Sequence, residues 1–292
     1  MANTRSFPQL HQTTRIRRRR FALWRVLLHL VLSIGALLMV LPFFWMISTS
    51  LKAEGDVLRV PPQWLPNPIV WSNYAESWTA LPMGQAYVNS LKVASISTIG
   101  TILSSSLAGF AFAKLHFYGR GWLLLVLLAT LMVPVQATLI PTYILFRWFG
   151  WLDTHWPLIV PAVLTNAYGV FLFRQFFRTI PDDLADAARV DGAGPLRIYA
   201  QIFLPLAIPA VAALGILDFM YYWNEYLLPL IFLSSVDRFT LPLMLASFQN
   251  GYTTQWSLLM AASAIALVPV MLVYLLAQRY FVEGIALTGL KG

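Results

Sequence analysis

The chain contains no cysteine, four histidines among 292 residues and 11% charged side chains. The first absence excludes disulfides, thiolate metal sites and cysteine nucleophiles. Soluble domains carry roughly 25% charged residues. The shortage here, together with 59% hydrophobic residues and a mean hydropathy of +0.68, excludes an ordinary water-soluble fold. No G-x-x-x-x-G-K-[ST] phosphate cradle, H-E-x-x-H pair or G-x-S-x-G elbow occurs, so the chain is expected to hold no nucleotide, zinc or hydrolase site of those kinds. The histidines, His11, His29, His116 and His155, are dispersed and read as surface or interfacial residues. A net charge of +8 does not indicate nucleic acid, because no basic soluble module is evident.

What is present is a series of long apolar runs. Stretches free of Asp, Glu, Lys and Arg cover 26–51, 93–113, 121–146, 154–173, 198–217 with a polar continuation, and 256–278. A membrane helix needs about 20 residues, so these runs predict an all-α protein with six transmembrane helices. The organisation that follows is a basic arm at 1–25, a first span at 26–51, an external loop at 52–84, a multi-span core at 85–280 and a tail at 281–292. The first run follows Arg15, Arg17, Arg18, Arg19, Arg20 and Arg25. It is longer than a signal peptide core, and its small-residue triplet Ser33-Ile34-Gly35 lies inside it, so it reads as a retained span. With the N-terminus inside, the inside segments hold fifteen Lys and Arg and the outside segments four. The positive-inside rule therefore predicts N-in and C-in. Trp64, Trp71 and Trp78 in one outside loop, and Trp148, Trp151 and Trp156 in the next, fit rings anchored at the headgroup level.

The inside loop at 174–205 is long, charged and patterned. Pro181 with Asp182, Asp183 and Asp186 supplies helix-start signals. Leu184, Ala187 and Ala188 follow at i, i+3, i+4 and predict one face that admits close backbone approach by a partner. Gly192 fits a helix C-cap, and Gly194-Pro195 predicts a second helix running through Ile198 and Ile202 into the fifth span. The pattern alone also suits an amphipathic helix resting on lipid headgroups.

Asp186-Ala187-Ala188, three residues, Gly192, nine residues, then Ile202-Phe203-Leu204-Pro205 resembles the E-A-A-x3-G-x9-I-x-L-P signature of ATP-binding-cassette importer permeases, with Asp186 in place of Glu. Further stretches resemble the carbohydrate-uptake branch, in particular the second permease of the maltose transporter type. They are Tyr87-Val88-Asn89-Ser90-Leu91, Trp223-Asn224-Glu225-Tyr226, and Gln278-Arg279-Tyr280-Phe281-Val282-Glu283-Gly284 with Gly289-Leu290-Lys291-Gly292. The resemblance implies a permease subunit in a prokaryotic inner membrane, paired with a sister permease, two ATPase subunits that carry ATP and Mg, and an external solute-binding protein for a sugar-like solute. It implies that Leu184, Asp186, Ala187, Ala188 and Gly192 couple to the ATPase. It also implies that Gly289, Lys291 and Gly292 reach the ATPase interface. The chain itself is then not an enzyme.

Charge inside a span is costly and usually faces a partner or an aqueous path. Asp218 and Glu225, with Tyr221, Tyr222 and Asn224, are candidates to line a translocation path for a hydroxylated solute. The alternative places Glu225 at the membrane boundary and satisfies Asp218 with a tyrosine or the sister permease. Pro134, Pro141, Pro205, Pro209 and Pro269 predict kinks or breaks, suited either to rocking helices or to static packing. An ion-gradient-driven secondary transporter is the rival class, but it favours carboxylates on several spans, and here they are confined to the fifth.

Overall fold

The structure is a computed structural model that describes residues 11–164, 166–249 and 254–289, with side chains described over 24–164, 166–249 and 254–276. Regular structure among the described residues is helical, apart from an isolated antiparallel bridge between Gln249 and Thr254. Four helical stretches are long and apolar enough to cross a membrane alone: Trp24–Ser50, Met83–Lys114, Trp156–Thr179 and Trp256–Leu276. Two further crossings are bent pairs, which makes six if each pair counts as one span.

Proline makes both bends. Arg120–Met132 and Val135–Trp148 meet at 100°, with Pro134 extended at φ −67, ψ 136 between them. Its ring and missing N–H stop the helical ladder there. Pro195–Leu206 and Ile208–Asn224 meet at 76° around Ala207. The predicted continuous helix from Gly194-Pro195 into the fifth span is therefore broken. Pro205 cannot donate to the α ladder, and Tyr199–Phe203 winds as a π-helix just before it.

The second span, Met83–Lys114, is the central helix and packs on Ala167–Thr179, Ile208–Asn224 and Trp156–Leu164. Small residues make this possible. A Cβ on Gly100 would come within 2.3 Å of Val163 Cγ2, and one on Gly169 within 2.6 Å of Ser105 Oγ. In lipid, where tails are as apolar as side chains, close van der Waals packing of this kind drives helix association. The first span packs chiefly on the last helix, and its apolar stretch is otherwise exposed. That last helix, Trp256–Gly289, continues through most of the segment the sequence assigns to the tail.

Polar latches close the end of the bundle opposite the 174–205 loop. Asn89 Nδ2 donates to the Asp237 and Phe239 carbonyls at 2.9 and 3.0 Å, and Ser90 Oγ accepts from Leu241 N–H at 2.7 Å. The Tyr87 to Leu91 motif thus holds the segment before residue 241. Glu54 accepts from Trp256 N–H and Ser257 N–H, capping the last helix from the first loop. His155, read from the sequence as surface or interfacial, is not on the surface. It is buried, with Nε2 2.8 Å from the Arg238 carbonyl, because its loop folds under the segment after residue 232.

Asp153, at φ 56, clasps the same segment by accepting from Ser234 N–H, Ser235 N–H and the Ser235 hydroxyl. The Ser235 hydroxyl, then the two amides, hold its carboxyl below the ordinary carboxylate range. A depressed folded value means that the clasp stabilises fully above the unfolded value near 4 and is lost as pH falls through the folded value. Asp153→Asn keeps a residue that tolerates positive φ but lacks the charge. It is expected to lower the thermal unfolding midpoint in detergent by a few degrees at pH 7. It should also flatten the fall in midpoint on acidification below pH 4, and identical acid profiles for the two proteins would contradict the clasp.

Candidate functional site

The patterned loop forms a helical hairpin. Its first leg is the helix Asp183–Val190 and its second starts at Pro195–Ile198. The turn is built as the sequence predicts. Gly192 N–H donates to the Arg189 carbonyl at 3.0 Å and Ala193 N–H to the Ala188 carbonyl at 2.9 Å, with Gly192 at φ +76. This is the six-to-one and five-to-two pair of a Schellman cap, which glycine adopts without a Cβ penalty. Space around Gly192 is open, so backbone conformation rather than crowding calls for glycine.

The hairpin's faces differ from the expected ones in one respect. Ala185, buried to 2%, inserts into the cluster formed by Phe110, Phe173, Phe177, Phe203 and Leu214. Ala188, one turn on, is partly buried against the same cluster. It therefore belongs to the inward face, and the free apolar face consists of Leu184, Ala187 and Val190. The swap arises because alanine at consecutive positions 187 and 188 carries no size signal to say which one faces in. Asp186 is exposed, 2.5 Å from Arg189. Such an exposed i,i+3 pair is worth little, so a partner can take over the carboxylate at small cost.

Asp182 behaves differently from a helix cap. It makes no side-chain cap bond to the helix it precedes. Its Oδ1 lies 2.5 Å from Lys114 Nζ, which also donates to the Ile180 carbonyl at 2.6 Å. The hydrogen bond from the Lys114 ammonium, and the charge behind it, hold the Asp182 carboxyl below its ordinary range. Lys114 is one of the fifteen inside Lys and Arg residues, and charge counting gives it no further role. The available signal was a lone lysine closing an otherwise uncharged 21-residue helical run at 93–113.

The five path candidates separate. Tyr221 and Tyr222 line a groove of about 340 Å3 with Thr138, Thr142, Leu139 and Phe232. Glu225 joins both tyrosines at an adjoining narrow cleft, where it accepts from Leu228 N–H at 3.1 Å and caps the next short helix. Asp218 is buried beneath them, with Oδ2 unpaired, and is absent from the groove lining. Asn224 turns back to its own helix, donating to the Met220 carbonyl at 2.7 Å. Thr138 and Thr142 were missed; they share one helix face at i, i+4, a spacing visible in sequence, but only the 100° bend carries that face to the tyrosines. The groove thus offers hydroxyls and aromatic rings set among aliphatic side chains, with no cationic side chain among its described lining residues. Trp223, from the same motif, is core. It stacks on Phe219 and donates Nε1–H to the Ala266 carbonyl at 3.2 Å. Of the tail residues, Gly289 ends the last helix, while Lys291 and Gly292 lie outside the described residues.

Comparison with known proteins places the chain in a family and a fold. A family profile described as "Binding-protein-dependent transport system inner membrane component" matches residues 100–286. The chain is 36% identical over 265 residues to the sn-glycerol-3-phosphate transport system permease protein UgpE of Yersinia enterocolitica, covering 88% of this chain and 94% of the relative. It is 30% identical over 256 residues to the probable ABC transporter permease protein YurM of Bacillus subtilis, covering 86% of this chain and 83% of the relative. Among solved structures, a chain of a bacterial ABC transporter involved in the import of the acidic polysaccharide alginate superposes with a TM-score of 0.79. It is 22% identical and is matched over 94% of this chain and 100% of that one, a likeness of fold.

Proposed function

Because the chain belongs to the binding-protein-dependent transport system inner membrane component family, we propose that it is one permease of an ATP-driven importer for a sugar or sugar-like solute. It is a multi-pass membrane protein whose six spans place both termini on the inside. It forms half of the translocation pathway with a sister permease, takes solute from an external binding protein, and receives motion from two ATPase subunits that bind ATP and Mg2+. Hydrolysis takes place on those subunits.

The observation that carries the reading is the capped hairpin, with Leu184, Ala187 and Val190 exposed on a helix whose other face is anchored in the core. A small apolar face on a rigid mount suits docking into a cleft, and Asp186 beside it offers a carboxylate. The tail residues Gly289, Lys291 and Gly292 complete the same contact. On the pathway side, Tyr221, Tyr222, Thr138 and Thr142 present rings and hydroxyls suited to a hydroxylated solute. The phosphate in the name of the Yersinia relative has no cationic counterpart among the described residues lining this groove, so an anionic group on the solute would be met by the sister permease.

The reading requires the hairpin to face the cytosol. The chain has no cysteine of its own, so single cysteines report cleanly. Cysteine at Ser72 is expected to react with an impermeant thiol reagent in intact cells. Cysteine at Leu196, 71% exposed on the hairpin's second leg and off the docking face, is expected to react only after permeabilisation. Labelling of residue 196 from outside would overturn both the orientation and the ATPase contact.

A further inference from the structure

We infer that Lys114 is a positioning residue of the coupling step, pinning the hairpin to the second span so that the two move as one body. This rests on the reading of the hairpin as the ATPase contact. Lys114 is the last residue of the second-span helix, and its side chain is 5% exposed. Its ammonium donates to the Ile180 carbonyl at 2.6 Å and to Asp182 Oδ1 at 2.5 Å, and it stands 5.2 Å from the centre of the Phe203 ring. Three segments therefore meet at one cation: the end of the fourth span, the base of the hairpin and the π-helical entry to the fifth span.

Two features separate this from ordinary packing. A buried ammonium is costly unless its donors are satisfied, and an apolar side chain would fill the same space without that cost. Its two acceptors flank Pro181, immediately before the hairpin helix, so a load on the hairpin reaches Lys114 before it bends the chain. The second leg has its own tie to the same helix, Ser106 Oγ to the Tyr199 hydroxyl at 2.7 Å. The second span thus grips both legs of the hairpin, with a charged tie on the first and a neutral one on the second.

The test uses the whole transporter, purified with its sister permease and ATPase subunits. Spin labels are placed on cysteines at Tyr118 and at Leu196 on the hairpin's second leg, both strongly exposed and outside the Leu184, Ala187 and Val190 face. Distances are recorded without nucleotide and after trapping with Mg-ATP and vanadate. In the wild-type background the distance is expected to be narrowly distributed and the same in both states. Lys114→Met is expected to retain ATPase co-purification and the thermal midpoint but to split or broaden that distribution in the trapped state. Lys114→Arg, which keeps charge and donors, is expected to restore the narrow distribution, and Asp182→Asn, which leaves the Ile180 carbonyl in place, to fall between. A narrow, state-independent distance in Lys114→Met overturns the inference. So does loss of assembly in both Lys114 variants, which would make the residue a folding element only. If the wild-type chain brings down no ATPase, the proposed function itself is overturned and this inference with it.

Discussion

Ala187→Asp is expected to abolish co-purification of the ATPase subunit while leaving the chain folded and inserted. Ala187 lies on the free face of the hairpin helix with Leu184 and Val190, outside the internal core. A carboxylate there costs nothing in the isolated chain, because water solvates it. In the docked state it would be buried without a counter-ion, a penalty of about 2–5 kcal/mol. At about tenfold for each 1.4 kcal/mol, that lowers association by about 30-fold to about 4,000-fold. Ala188→Asp is the informative contrast. Ala188 is partly buried against Phe177 and its neighbours, so the same change should destabilise the chain itself and reduce the amount recovered from membranes. Arg178→Ala, at an exposed site off the hairpin, should do neither. The checks are pull-down of the ATPase and the yield of monodisperse protein in detergent. Normal association in Ala187→Asp would mean that the hairpin rests on headgroups instead.

Gly109→Ala is expected to be the most damaging single methyl in the bundle. A Cβ at 109 would lie 2.6 Å from Phe173 Cβ and 2.9 Å from the Arg174 backbone nitrogen. These are not ends of flexible side chains, so the second and fourth spans would have to separate. Overpacking of this kind costs about 1–3 kcal/mol where side chains can yield, and more where backbone blocks the way. The same contact supports Phe110, Phe173 and Phe177, the cluster on which Ala185 anchors the hairpin, so the damage spreads to coupling. Gly35→Ala and Gly121→Ala serve as controls. A Cβ meets nothing within 4 Å at either site, and alanine favours a helix by about 1 kcal/mol over glycine. Fluorescence-detected gel filtration and thermal midpoints should show loss for residue 109 and no loss for the other two. An unchanged midpoint in Gly109→Ala would contradict the close approach of the two spans.

Apolar runs and charge asymmetry were enough to read an all-helical membrane chain from the sequence, because a helix in lipid must satisfy its backbone internally and leave apolar side chains outside. The hairpin turn was legible for a similarly local reason. Gly192, Gly194 and Pro195 restrict the backbone through their own stereochemistry, whatever surrounds them. Prolines 134, 205 and 209 announced breaks but not their angles. Those depend on what each half packs against, and 100° and 76° far exceed what an isolated proline kink would suggest.

Tertiary structure alone decided the rest. The order Asp186-Ala187-Ala188 announced a contact helix, yet two adjacent alanines differ in role only because Phe110, Phe173 and Phe203 come from three separate spans to form the pocket for Ala185 and its neighbour Ala188. Asp182 does start the helix, but its carboxylate is held by Lys114, 68 positions earlier, a pairing no local pattern announces. Asp218, Tyr221, Tyr222, Asn224 and Glu225 read as one group along a helix, but burial, the groove and a local turn divide them. Helix, cap and span follow from interactions within a few residues and with a uniform solvent, and the sequence states those directly. Which small residue faces in, which lysine finds which aspartate and which hydroxyls share a groove are pairings between distant segments, and they exist only after the helices have packed.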